Sequence, residues 1–181
     1  MRARVTVIAL AVLALSMTPA ATGQASPPDG GSRLCTWGGT PVAPTGRVTV
    51  TPGATNTPSA GPLELYATGE LTGGGPCTGT MTFRGVAEAG ATCTATVFDG
   101  KVNGVPGIAT FHGAGAAGLV HEFLYDHHGN TVGSDQPNVL TPANATDPDH
   151  PAFSNCNTPE GFTGGTFSAS VELYASYGQR G

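Results

Sequence analysis

Arg47-Val48-Thr49-Val50-Thr51 alternates apolar and polar residues without a break, and Leu63 to Leu71 sets Leu63, Leu65 and Ala67 on one side with Glu64, Tyr66 and Thr68 on the other. Strict alternation sends successive side chains to opposite faces, which is the pattern of a half-buried strand. The same period recurs further along. Thr78 to Val86 aligns Met81 and Phe83 with Cys77, and Thr92 to Phe98 aligns Cys93, Ala95 and Val97. Gly107 to His112 and Leu119 to Tyr125 read as a hairpin around Gly115 to Gly118. Thr131-Val132 and Val139-Leu140 are weaker strands, and Phe167 to Tyr177 is the last. Asp99-Gly100 and Asn103-Gly104 read as type I′ turns, because Gly and Asn tolerate positive φ. Gly and Pro interrupt nearly every window, so no long helical period survives. Pro142 to Thr163, rich in Pro, Asp and Asn, reads as a long irregular loop. About eight short strands separated by turn signals predict an all-β chain. The expected architecture is a single antiparallel β-sandwich, immunoglobulin-like or jelly-roll.

The N-terminus follows a different rule. Arg2 and Arg4 precede the uncharged run Val5 to Leu15, and small and polar residues follow as far as Ala25. This is the tripartite pattern of a secretory signal peptide, with an apolar stretch too short to span a bilayer. Cleavage is expected after Ala25, with Ala20 and Ala21 as alternatives. The expected organisation is therefore a signal peptide at 1–25, a flexible leader at 26–33 and one β-sandwich domain at 34–181. The mature chain would carry five basic residues against twelve acidic ones, a net charge of −7. Without a basic patch it is a poor partner for nucleic acid or an anionic membrane surface. No membrane insertion is expected after the signal is removed.

Four cysteines, Cys35, Cys77, Cys93 and Cys156, all lie beyond the cleavage site. An even number in a secreted chain reads as a disulfide framework, and the absence of CxxC argues against a zinc-thiolate or redox pair. Cys77 shares a face with Met81 and Phe83, and Cys93 with Ala95 and Val97, which favours Cys77–Cys93 together with Cys35–Cys156. The rival is Cys35–Cys77 with Cys93–Cys156. Trp37, the one tryptophan, reads as core packing beside the Cys35 disulfide, with a sugar-stacking platform as the functional alternative.

Candidate chemistry is sparse. His112 and His121 stand symmetrically about the Gly115 to Gly118 turn and would face each other across the hairpin. Glu122 would point to the other face, leaving two ligands where zinc needs three or four. No metal or other cofactor is expected. Asp126, His127, His128 and Asn130 form a polar turn, and Asp147 and Asp149 lie in the long loop with Asn144 and His150. These residues are candidates for a binding loop, although the calcium spacing of an EF-hand is absent. There is no Gly-x-Ser-x-Gly, no P-loop and no dinucleotide fingerprint.

Arg is favoured over Lys, with much Ala and Gly, as in high-GC bacterial sequences. The signal peptide, the Thr- and Gly-rich short strands and the two disulfides resemble those of small secreted actinobacterial β-sandwich proteins in general. No motif singles out a named family. The expected function is that of a secreted, extracellular, soluble, non-catalytic protein. It would bind an extracellular protein, glycan or small ligand through its loops. The alternative is a small secreted hydrolase or metal-dependent enzyme built on His121, Glu122, Asp126 or His127.

Overall fold

The computed structural model describes residues 31–116, 118–142, 155–175 and 177. The expected signal peptide, the leader up to Gly30, and Asn144, Asp147, Asp149 and His150 lie outside them. The first strand, β1 (Arg33–Trp37), is followed by two short strands, β2 (Gly39–Thr40) and β3 (Ala43–Pro44), which pair only with each other. Eight longer strands come next: β4 (Gly46–Ala54), β5 (Leu63–Thr72), β6 (Thr80–Ala87), β7 (Thr96–Asn103), β8 (Thr110–Ala116), β9 (Leu119–Tyr125), β10 (Thr131–Pro142) and β11 (Phe162–Leu173). From β4 to β11 each pairs antiparallel with the next.

The sandwich expectation is wrong. β11 pairs back onto β4, with Gly165 opposite Val48, Thr166 opposite Arg47 and Phe167 opposite Gly46, so the sheet closes into an eight-stranded antiparallel barrel. Sandwich and barrel both need residues that alternate between interior and solvent, so alternation alone cannot separate them. The deciding contact joins strands at opposite ends of the chain. One wall position is shared: β1 pairs with β11 beyond the point where β4 leaves it, and Trp37 lies opposite Leu71 of β5. The Gly38 carbonyl accepts from Thr45 N at 2.8 Å and Gly46 N at 3.0 Å, which pinches the β2–β3 hairpin out of the wall.

The interior is mostly apolar and the exterior mostly polar. Leu63, Leu65, Met81, Phe83, Phe111 and Leu124 are buried, while Arg47, Thr49, Glu64, Arg84 and Lys101 between them point outward and are exposed. A lipid-facing barrel needs an apolar outer band. No helix among the described residues is long and apolar enough to cross a membrane. Trp37 sits at the centre, fully buried, with its ring centroid 4.6 Å from those of both Phe83 and Phe167. Its Nε1 donates to Gly69 O at 3.1 Å and Met81 O at 3.2 Å, so the indole is core rather than an exposed stacking platform.

Two further expectations are corrected. Asp99-Gly100 is not a turn but the middle of β7. A Cβ on Gly100 would overlap the Arg84 carbonyl oxygen of β6 and lie 2.7 Å from Cε1 of Phe111, so the glycine lets both the β6 backbone and that ring come close. Asn103-Gly104 does end the strand, with Gly104 at φ +89°. The disulfides are Cys35–Cys77 and Cys93–Cys156, with Cα separations of 5.5 and 5.9 Å. Cys77 and Cys93 cannot meet because Cys77 precedes β6 and Cys93 follows it. The eight-residue strand holds them roughly 25 Å apart, at about 3.3 Å per residue. Each bridge therefore ties one end of the barrel.

Candidate functional site

At the end of the barrel where β8 turns into β9, the interior is not filled. A cavity of about 60 Å³ lies between the walls, lined by Trp37, Val50, Leu65, Phe98, Phe162 and Phe167 among others. On this scale roughly 10–15 Å³ suffices for one water, so the space suits a body of roughly four to six non-hydrogen atoms. The Cys93–Cys156 bridge lies at this end, and Cys93 is part of the lining.

One ionisable side chain among the described residues lines this cavity: Glu122, which is 4% exposed. The alternation of β9 puts it there. Val120, Glu122 and Leu124 face inward, and His121 and Phe123 face solvent. Gly113 stands opposite on β8, where an added Cβ would come 2.5 Å from Glu122 Cγ. The missing side chain is what lets the Glu122 stem lie across the neighbouring strand. On the other side, Glu122 is opposite Asp135 of β10, itself 2% exposed.

These two carboxyls have no cation beside them. Every described Lys, Arg and His is exposed. The neighbouring inward positions are Gly113 on β8, Phe98 on β7 and Val171 on β11, none of which titrates. Glu122 Oε2 and both Asp135 oxygens find no donor among the described residues. Two ionised carboxylates have no hydrogen to donate to each other; a proton held between them supplies one. Burial pushes the Glu122 carboxyl well above the usual range, and the charge of Asp135 pushes it further. Burial raises Asp135 to about 7, a rise that its interaction with Glu122 only partly offsets. The arrangement is thus a buried acid pair that holds a proton near neutrality, with Glu122 facing an apolar chamber.

The residues singled out by sequence lie elsewhere. His112 and His121 do not face each other. The hairpin closes with Ala116 opposite Leu119, one residue later than expected, so His112 stands opposite Phe123 and His121 opposite Ala114. His112 Nδ1 instead meets Asp99 Oδ1 at 2.7 Å on the outer surface, and the His121 ring lies edge-on to Phe123 at 4.7 Å. Among the described residues no three His, Cys, Asp or Glu side chains gather into a group that could hold a metal ion. Asp126, His127, His128 and Asn130 form the β9–β10 turn at the opposite end of the barrel from the cavity. Asp126 Oδ1 accepts from His128 N at 2.8 Å and Asn130 N at 2.9 Å, so its carboxylate holds the turn together. His127 and His128 are exposed there. Of the alternative enzyme set, Glu122 faces the interior, His121 and His127 face solvent, and Asp126 belongs to that turn.

Asp135 was not visible as a site residue. Ser134-Asp135-Gln136-Pro137-Asn138 carries turn formers through the middle of what is in fact a twelve-residue strand. The available signal was the alternation Gly133, Asp135, Pro137, Val139, which places Asp135 inward once the strand is recognised. Compared with protein-family models, curated proteins and solved structures, the chain matches none of them.

Proposed function

We propose that this chain is a secreted, soluble, non-catalytic carrier or receptor barrel that takes a small, largely apolar ligand into its interior. The observation that carries this reading is the apolar chamber with Glu122, the one ionisable side chain among the described residues that line it, in its wall. Ligand sites of this kind are concave, mostly apolar and furnished with a few polar groups that fix orientation. An eight-stranded barrel is just wide enough to hold one small ligand. Secretion is supported by the pattern of the first 25 residues and by two disulfides, which persist in oxidising compartments. Ligand would enter the barrel interior rather than the loops.

Trp37 supplies the test, because it is the sole tryptophan and lines the chamber. Small apolar compounds such as pentane should shift its emission and raise the melting temperature, since a ligand that binds only the native state stabilises it. Ala67→Phe, which fills the chamber from β5, should abolish both responses. If saturating amounts of small apolar compounds change neither emission nor melting, the reading is wrong.

A further inference from the structure

We infer that the chamber selects a small organic cation: an alkyl ammonium head seated against Glu122, with an apolar body filling the space beyond. This inference rests on the interior-ligand reading above and names the class of ligand.

The barrel interior holds two acids and, among the described residues, no base. Three of the four carboxyl oxygens find no donor among the described residues. A buried acceptor without a donor is costly, and a buried anion without a counter-charge more so. A proton shared by Glu122 and Asp135 meets part of that need in the empty protein. An ammonium group meets more of it, since it brings three donors and a full positive charge to Glu122, with the charge of Asp135 behind it.

The surroundings suit such a ligand. Trp37, Phe98 and Phe167 border the chamber, and aromatic faces attract cations. Gly113 makes the place in which the Glu122 stem rests, so the carboxyl is held by the backbone layout of β8 rather than by a flexible neighbour. The acidic net charge would draw cations toward the protein and repel carboxylates. A neutral alcohol could donate one hydrogen bond but would leave the acid pair without a counter-charge. An anionic ligand would be repelled outright.

Butylamine, butanol and pentane are nearly equal in size and differ in head group. Binding of each to the full-length mature protein is measured at pH 8 by Trp37 emission and calorimetry, with Glu122→Gln alongside. Butylamine is expected to bind at least about tenfold tighter than butanol or pentane, as hydrogen bonds to charged groups are the stronger ones. Glu122→Gln should erase that advantage, so that butylamine binds no tighter than butanol or pentane. Pentane binding as tightly as butylamine in the unaltered protein would overturn the cation inference while leaving the interior-ligand reading standing. Failure of all three compounds would overturn both. An amine preference that persists in Glu122→Gln would show that the cation sits elsewhere.

Discussion

Replacing Asp135 with Asn removes one buried acid while keeping its shape. In the folded chain Asp135 is raised from 3.8 to about 7, chiefly by burial. Between those values the native state holds a proton that the unfolded chain has lost. Stability therefore falls as pH rises across this window, opposite to the behaviour of a carboxylate in a salt bridge. The stabilising proton is fully in place below 3.8 and is lost by the time pH has passed about 7. Each pH unit is worth about 1.4 kcal/mol, so the full window amounts to about 4 kcal/mol for this one group. For a chain of this length that corresponds to roughly 8–16 °C in melting temperature. Glu122, raised by the same burial, carries the trend further in the same direction. Urea unfolding of the protein and of Asp135→Asn at a series of pH values from 4.5 to 8 isolates the effect. Exposed carboxylates and histidines are common to both chains and cancel in the difference. Asp135→Asn should be close to neutral at pH 4.5 and more stable than the parent at pH 8. If the parent gains stability between pH 5 and 8 by as much as the variant does, the acid pair is not buried as described.

Gly113→Ala would drive a methyl group to 2.5 Å from Glu122 Cγ, and urea unfolding should show a loss of about 1–3 kcal/mol together with weakened amine binding. Trp37→Phe leaves the carbonyls of Gly69 and Met81 without their indole donor and opens space in the core, and should cost about 2–4 kcal/mol. Non-reducing peptide mapping should join Cys35 to Cys77 and Cys93 to Cys156. On the chain-entropy model each bridge contributes about 4 kcal/mol, so reduction should lower the urea midpoint sharply. Intact-mass measurement of protein from culture medium should give a chain beginning at or near Ser26.

Much of the wall could be read from alternation. The segments around Val48, Leu65, Phe83 and Phe123 are strands, as their two-residue period implies, and the long segment after Pro142 separates the last two; near Phe98 the strand starts later, at Thr96, and turns Phe98 rather than Val97 inward. Closure was not legible, because it depends on the pairing of Phe167 with Gly46, and neither residue announces a partner. The disulfides were mispaired for a related reason. The expected facing was itself wrong at Cys93, since Ala95 and Val97 are exposed and Phe98 is buried, and facing says nothing about which end of a strand a residue occupies. Composition misled at Gly100, where a glycine that admits the Phe111 ring looked like a turn residue. The same bias toward turn chemistry hid Asp135. The histidines drew notice because imidazole is reactive, yet they lie on the outside. The acids that matter sit at inward positions where the pattern calls for a hydrophobe. A carboxyl at such a position is the clue that was available.

The wall of this barrel contains a joint. β1 and β4 together make a single stave, and the chain leaves that stave at Gly38 and rejoins it at Gly46. The excursion carries Val42, which is 95% exposed, at its tip. Exposed tips of this kind are where proteases cut and where inserted sequence is tolerated. A cut there would free the N-terminal piece from the peptide backbone but not from the molecule. β1 would remain laced to β11 along five paired residues and covalently anchored through Cys35 to Cys77. The nicked protein would thus behave as two fragments under one roof, intact while oxidised and separable once reduced. Trp37 would leave with the smaller fragment and open the chamber from the side. Once cut at this tip, the barrel would release or retain β1 according to the redox state of Cys35–Cys77, while β4 to β11 stay paired.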